Sequence, residues 1–97
     1  MILVTGSFVA KDGSLAEALA LRLEHVHRSR LEPGCISHAV HHDAENSNRL
    51  VFVEEWADQA ALTAHFAVSA SRAFGQALAA LAVGTPEMAV FEATRVR

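Results

Sequence analysis

The stretch CISHAVHHDAENSNRLVFVEEW, residues 35–56, decides the fold because it holds two strand-like runs separated by a polar turn. The first run extends from Cys35 to about His42. The second, Leu50 to Trp56, is dense in the β-branched and aromatic side chains that favour strands. Residues 43–48 between them are mostly acidic, amide and hydroxyl types, which favour turns. This arrangement predicts a β-hairpin.

Upstream of the hairpin, the sequence predicts one strand and one helix. Residues 1–10 carry apolar side chains on both alternating sets, which is typical of a strand covered on both faces. Ser14 and Glu17 have the spacing of a capping box, so a helix should start there and run to about Leu31. Glu32-Pro33-Gly34 then ends it. The apolar stripe of this helix comprises Leu15, Ala16, Leu19, Leu23 and Val26.

Downstream of the hairpin, the sequence predicts helical structure followed by a last strand. Asp58 can cap a helix. One face of this helix carries Ala61, Leu62, His65 and Phe66. The same stripe continues, with a break near Ser69, through Ala70, Ala73, Phe74, Ala77, Leu78 and Leu81. Gly84-Thr85-Pro86 should stop the helical region, and residues 88–96 should form the final strand.

The resulting order of elements is βαββαβ, which is the α+β, ferredoxin-like plan of a four-stranded antiparallel sheet with both helices on one face. A chain of 97 residues is expected to make one domain over residues 1–97. Its 52% content of hydrophobic residues is high for one small core, and the strands are apolar on both sides. We therefore expect two sheets to pack face to face in a homodimer.

Composition excludes several classes of partner and location. Eight basic and 11 acidic residues give a net charge of −3 without a run of like charge, so nucleic acid is not an expected partner. The longest apolar run has seven residues, whereas a membrane-spanning helix needs about 20. The N-terminal residues lack the pattern of a secretory signal, and a single cysteine cannot form an internal disulfide. We expect a cytoplasmic protein that does not enter a membrane.

The spacing of the histidines predicts no metal site. His38 and His42 lie on one side of a strand but about 13 Å apart. His25 and His27 are about 200° apart around a helix, whereas chelation favours a spacing of three or four residues. Cys35 is expected to pack rather than react. Because the glycine-rich and nucleophile motifs of cofactor enzymes and serine hydrolases are also absent, we expect no cofactor.

His65 is the residue that stands out, because an imidazole in the middle of an apolar helical stripe needs a buried partner. Trp56 is the only tryptophan, and it shares a strand face with Glu54 and Phe52. An aromatic wall and a carboxylate can therefore meet His65 between helix and sheet. The alternative interpretation of these residues is a hydrogen-bonded trio with a purely structural role.

Two further side chains extend this candidate site. Phe66 lies next to His65 on the apolar stripe. Arg30 falls near the centre of the first helix's stripe, where its guanidinium can cap helix carbonyls or reach an anionic ligand.

Four segments in this order resemble the antibiotic biosynthesis monooxygenase (ABM) family, including its small quinol-monooxygenase-like proteins. They are residues 29–35, the polar hairpin, residues 52–58 and residues 61–65. They match the family pattern R-x-E-P-G-C, E-x-W-x-[DE], A-L-x-x-H at similar intervals. The likeness covers almost the whole chain. Two departures are Ala70, where many members have a second histidine, and His38, where members often have tyrosine.

The resemblance implies a dimeric α+β barrel that oxidises an aromatic polyketide, phenol or hydroquinone with O₂ and without a metal or other cofactor. In that interpretation His65, His38 and Glu54 are the catalytic candidates. His65 accepts the phenolic proton, His38 is a second proton-transfer candidate, and Glu54 orients a partner. The substrate-binding candidates are Trp56, Phe52, Arg30 and Phe66. Two alternatives remain open, namely a non-enzymatic ligand-binding or stress-associated module on the same fold, and a small-molecule isomerase.

Overall fold

The computed structural model describes residues 1–97 and contains the expected elements in the expected order. They are β1 (Ile2–Val9), α1 (Leu15–Ser29), β2 (Cys35–Asp43), β3 (Asn46–Trp56), α2 (Gln59–Ala67), α3 (Ser69–Ala80) and β4 (Glu87–Glu92). The predicted break in the second helical region is present. Val68, with an extended backbone at φ −63° and ψ 128°, separates α2 from α3.

The four strands form one antiparallel sheet in the order β2-β3-β1-β4, which confirms the ferredoxin-like α+β prediction. The two central strands, β3 and β1, carry half of the buried apolar side chains. Glu54 is the cross-strand partner of both Val4 in β1 and His38 in β2. Because directly paired residues point to the same face of a sheet, this register brings Glu54 and His38 together under the helices.

Two apolar clusters lie between the sheet and the helices. One consists of Phe8, Ala10, Ala18, Leu50, Leu78 and Ala82. The other consists of Ile2, Val4, Phe52, Trp56 and Leu62. Trp56 and Leu62 are fully buried, so the second cluster anchors α2 on β3 beside His65.

The two predicted helix caps have different outcomes. Asp58 caps α2 as expected, because its side chain accepts a hydrogen bond of 2.8 Å from the Ala61 amide. The predicted capping box at Ser14 and Glu17 is wrong. Ser14 has a helical backbone at φ −103° and ψ −2° and makes no side-chain cap hydrogen bond. A capping hydroxyl usually requires an extended backbone at that position.

Three boundaries differ from the sequence prediction. α1 ends at Ser29 rather than at about Leu31. β3 begins at Asn46, so only two residues separate the strands of the hairpin. The last strand ends at Glu92 rather than Val96, because β1, its only neighbour, begins at Ile2, which pairs with Glu92.

The buried face of α1 matches the predicted stripe only in part. Val26 is buried, and Leu15 and Leu19 pack against the first apolar cluster. Leu23 is 39% exposed and Ala16 is exposed, although both were expected to face the sheet. The buried residues of α1 are Ala18, Arg22, His25, Val26 and Ser29. A prediction of the buried face from apolar residues alone fails here, because three of the five buried residues of α1 are polar or charged.

The face of the sheet that points away from the helices mixes apolar and polar residues, so the prediction of strands apolar on both sides holds only in part. The polar members include Ser37, Arg49 and Glu55. Cross-strand pairing places Leu3 beside Phe91, and Val53 beside Ala39 and Thr5, on this side. Phe91 is 49% exposed in the single chain.

None of the helices is both long enough and apolar enough to span a membrane.

Candidate active site

A cluster of polar side chains is enclosed between the sheet and the helices. Its members come from four elements, and each is only 1–5% exposed: Arg22 and His25 from α1, His38 from β2, Glu54 from β3 and His65 from α2. Trp56 closes one side and is completely buried. The structure thus brings together four residues that the sequence singled out, His38, Glu54, Trp56 and His65, and adds two that it did not.

Glu54 is the acidic centre of this cluster. Its Oε1 accepts a hydrogen bond of 3.0 Å from Trp56 Nε1 and lies 4.0 Å from His65 Nε2. Its Oε2 lies 3.7 Å from His38 Nε2. Burial raises the pKa of Glu54, although the hydrogen bond from Trp56 acts in the opposite direction. Glu54 therefore positions the indole while facing both imidazoles.

His65 is held from two sides. Its ring centroid lies 4.6 Å from that of Trp56, and its Nδ1 lies 2.5 Å from Oε2 of Glu32. Glu32 belongs to the loop that follows α1 and has a largely buried side chain. We assign the proton to Nδ1, since a carboxylate accepts it there, and this leaves the Nε2 lone pair on the side of Glu54. A carboxylate behind one imidazole nitrogen with a free acceptor at the other is the arrangement of a general base.

His25 and His38 are neutral imidazoles at neutral pH. Burial, with the Arg22 guanidinium as the next cause, lowers the pKa of His25 to about 2 and that of His38 to about 3. Arg28 donates a hydrogen bond of 2.6 Å to Nδ1 of His25. The ring of His25 lies 5.4 Å from His38 and 5.0 Å from His65. Despite this proximity, no group of three or more potential ligands is arranged to hold a metal ion.

Arg22 lies in the same space, where its side chain contacts two aromatic rings. Its Cζ atom is 3.5 Å from the centroid of the Phe52 ring and 5.1 Å from that of Phe74. Burial lowers the pKa of Arg22 to about 10, and Glu54 counteracts part of this effect. The guanidinium is therefore a buried positive charge at neutral pH. Phe52, predicted to bind substrate, forms the platform beneath it.

The two remaining predicted residues are not enclosed in the cluster. Arg30 does not lie on the buried stripe, because α1 has already ended and Arg30 occupies the C-cap. Its exposed side chain donates from Nε to the backbone oxygen of His38 at 2.9 Å, so it supports β2 from outside. Phe66 is 40% exposed, since it follows His65 and is rotated by about 100° from it around the helix.

One surface pocket reaches the cluster at its His65 edge. It has a volume of about 340 Å³ and is lined by Glu32, Pro33, Gly34, Ala57, Asp58, Ala61, Ala64, His65 and Val68. The interior around Trp56 is otherwise closed. The Glu32–His65 pair therefore stands at the boundary between the buried cluster and the surface.

Gly6 of β1 makes room for Phe52, because a Cβ atom at this position would lie 2.0 Å from Cζ of Phe52. We expect Gly6→Ala to displace the ring that supports Arg22 and to lower the free energy of unfolding by about 1–3 kcal/mol. Urea unfolding measures this. Gly75→Ala is the matched control, because nothing lies within 4 Å of a Cβ there, and it should stabilise α3 slightly. Equal stability of Gly6→Ala and wild type would contradict the close packing.

The fold and the motifs match one protein family over most of the chain. The model of the family described as antibiotic biosynthesis monooxygenase matches residues 1–85. The chain therefore belongs to the ABM family. This establishes the resemblance that the motifs indicated.

Several solved structures and one relative from the curated proteins are similar to this chain to different degrees. A crystal structure described as an antibiotic biosynthesis monooxygenase is 26% identical, with a TM-score of 0.90 over 98% of this chain and 100% of that one. Two others show the shared fold. SnoaB, a cofactor-independent oxygenase from Streptomyces nogalater, is 22% identical with a TM-score of 0.86 over 98% and 94% of the two chains. A conserved protein from Methanosarcina mazei is 22% identical with a TM-score of 0.91 over 96% and 92%.

An uncharacterised protein from Synechocystis is 38% identical over 65 residues. The matched stretch covers 67% of this chain but 44% of that relative, so the Synechocystis protein is considerably longer than the match.

Sequence reasoning missed three members of the site in this ABM protein: Arg22, His25 and Glu32. Arg22, His25 and Ser29 recur at intervals of three and four residues, which is the periodicity of one helical face. Counting polar as well as apolar residues at that spacing would have located the buried side of α1. Glu32 has no periodicity, since it lies in the loop that ends the helix; its only sequence signal is its place as the glutamate of the R-x-E-P-G-C pattern.

Proposed function

We propose that the protein is a cofactor-independent monooxygenase that oxidises an aromatic polyketide, phenol or hydroquinone with O₂. The observation that supports this proposal most is the enclosed group of His65, Glu54 and Trp56, with Glu32 behind the imidazole. Membership of the ABM family is consistent with it. The ionisable side chains and the aromatic wall are the parts that oxidation of an ionised phenol requires.

In the proposed mechanism, Nε2 of His65 takes the proton of a substrate hydroxyl, while Glu32 stabilises the imidazolium that forms. The phenolate is electron-rich enough to pass one electron to O₂. Recombination of the two radicals forms a carbon–oxygen bond, and loss of water from the hydroperoxide gives the oxidised ring. For a hydroquinone with a ring C–H, the sum is hydroquinone plus O₂ giving hydroxyquinone plus water.

The other cluster members have supporting roles in this proposal. Trp56 is the inner wall behind the His65 ring, with 4.6 Å between ring centroids, and Glu54 orients the indole through its hydrogen bond. With a pKa lowered to about 3, His38 is a weak base, so we assign it a hydrogen-bonding role and leave proton removal to His65. Phe66 lies at the rim, where its ring is 5.7 Å from that of His65.

The proposal is tested by incubating the purified protein with a model hydroquinone in air and under anaerobic conditions, without an added cofactor. O₂ uptake and product formation that both depend on the protein would support the monooxygenase. Binding without O₂ uptake would support a ligand-binding module instead. Conversion of a substrate that proceeds equally without O₂ would support an isomerase.

We further propose that the protein is a cytoplasmic homodimer in which the outer sheet faces of two copies pack together. The apolar side chains on this face support the proposal, because exposed apolar patches of this kind mark association surfaces. Its single cysteine is unpaired, which fits a reducing compartment.

The dimer proposal predicts sedimentation at about twice the 10.4 kDa mass of the chain at micromolar concentration. Val53→Lys places a charge at the centre of the outer face and is expected to yield a folded monomer. Ala79→Lys on the exposed surface of α3 is the control and should remain dimeric. A wild-type monomer, or a dimer unaffected by Val53→Lys, would contradict this interface.

A further inference from the structure

Arg22 is a buried cation for which the protein provides no acidic partner within ion-pair distance. The residue is 5% exposed, and its Nη2 atom has no hydrogen-bond partner. The carboxylate that acts on it, Glu54, is instead engaged with Trp56 and faces the histidines. His25 and His38, which lie around the same space, are neutral and carry no compensating charge.

An arrangement of this kind is unfavourable for the folded protein alone. Removing a guanidinium from water costs several kcal/mol unless a negative partner repays it. The contact with the Phe52 ring supplies a smaller attraction. Charged residues buried without a partner are rare in cores, and where they occur they point to a binding function.

The surroundings of Arg22 also define the shape of what it binds. The guanidinium lies between the rings of Phe52 and Phe74, and both nitrogens of His38 are buried without partners. Aromatic faces, a cation and neutral imidazoles together suit a flat ring that carries an anionic oxygen.

The nearest groove to Arg22 lies beside α3. It has a volume of about 290 Å³ between α1 and α3 and is lined by Phe74, whose ring stacks on His25 at 4.0 Å. A ligand that enters from this groove must displace Phe74, whose ring centroid lies 5.1 Å from Cζ of Arg22.

We propose that Arg22 binds the anionic oxygen of an aromatic ligand within the helix–sheet gap. This inference deepens the proposed function, since it names an acidic aromatic compound as the substrate class. In that reaction Arg22 would stabilise the phenolate that His65 creates, which makes Arg22 a catalytic residue outside the predicted set.

Binding tests this inference independently of turnover. Calorimetric titration compares 4-nitrophenol, at a pH where it is ionised, with 4-nitroanisole, its uncharged methyl ether. We expect the anion to bind about 10- to 100-fold more tightly to the wild type. Benzoate is titrated as well, because its affinity shows whether Arg22 binds a carboxylate as tightly as a phenolate.

Substitution of Arg22 decides the outcome. Arg22→Gln should remove the preference for the anions, and Arg22→Lys, which keeps the charge but lacks the planar fork, should retain part of it. Arg72→Gln, the same change on exposed α3, should leave the preference intact. A wild type that does not prefer the anions, or an Arg22→Gln protein that still does, would overturn the proposal. If the protein prefers the anions but shows no O₂-dependent turnover, only the proposed monooxygenase function would be rejected.

Stability provides a second readout that a structural role would not give. If Arg22 is kept for a ligand, Arg22→Gln and Arg22→Met should both unfold at a higher urea concentration than wild type, because each removes an unpaired buried charge. A lower midpoint for both variants would show that Arg22 serves the fold and would overturn the inference.

Discussion

His65→Gln is expected to retain the fold and to lower turnover of a model hydroquinone by a factor of about 10² to 10⁴. Glutamine has a similar length, and its amide can still donate to Glu32, but it cannot accept a proton from a phenol. The measurement is O₂ uptake at saturating substrate, together with the fluorescence of Trp56 as a check of local structure. This large loss follows from the free Nε2 of His65 and from the weak basicity of the neighbouring His38.

Substitution of the neighbouring Glu32 distinguishes a catalytic role of His65 from a structural one. If the pair acts as a base and its carboxylate, Glu32→Gln should lower the rate less than His65→Gln does. The double variant should then be little worse than His65→Gln alone, because both residues act in one step. His42→Gln, a change at an exposed histidine on β2, is the control and should keep full activity.

A purely structural His65 predicts a different pattern. Loss of its partner would leave the carboxylate of Glu32 unpaired and lower the free energy of unfolding by about 1–3 kcal/mol, while folded protein would still turn over substrate. Full activity of folded His65→Gln at saturating substrate would therefore remove His65 from the mechanism. His38 would become the next candidate for proton transfer.

The hairpin and the candidate wall could be predicted because their signals are local. Strand alternation places Phe52, Glu54 and Trp56 on one face whatever the rest of the chain does. An imidazole on an apolar helical stripe then indicates which side of α2 meets that face. The structure brings His65 to Trp56, with 4.6 Å between ring centroids.

The rest of the site could not be predicted because it depends on burial of polar groups and on long-range contacts. Hydrophobic periodicity assumes that the inner face of a helix is apolar, and α1 violates this at Arg22 and His25. The contact between Glu32 and His65 joins residues 33 positions apart, and neither of their local patterns encodes it. The error in the stripe of α1 therefore falls on residues of the candidate site.

Stability should fall steeply as the pH drops below about 6.5, because two histidines are held neutral in the fold. The ordinary pKa of histidine is about 6.5. Burial and Arg22 lower the pKa to about 2 in His25 and about 3 in His38. Below pH 6.5 the unfolded chain therefore binds protons that the folded chain does not, and the free energy of unfolding decreases as pH decreases.

Each of the two histidines should lower the free energy of unfolding by about 1.4 kcal/mol between pH 7.5 and 5.5, so the pair should lower it by about 3 kcal/mol over this range. Titration of Glu54 changes the free energy of unfolding in the opposite direction. Its raised pKa means that the folded protein takes up a proton before the unfolded chain does, which offsets part of the loss as the pH approaches the carboxyl range. The slope should therefore grow as the pH falls through 6.5, reach nearly its full value about one pH unit lower, and lessen only where Glu54 begins to take up its proton.

Urea unfolding at pH 7.5, 6.5 and 5.5, followed by Trp56 fluorescence, measures this dependence. The double variant His25→Gln/His38→Gln should flatten it, because glutamine does not titrate, whereas His42→Gln at the exposed position should keep the wild-type slope. A wild type equally stable at all three pH values would show that the two imidazoles are not held neutral. Arg22→Gln should keep most of this slope, because burial is the first cause of both lowered pKa values and the guanidinium only the second. The charge proposed to bind the aromatic anion therefore adds to the effect of burial, which already keeps the surrounding imidazoles unprotonated.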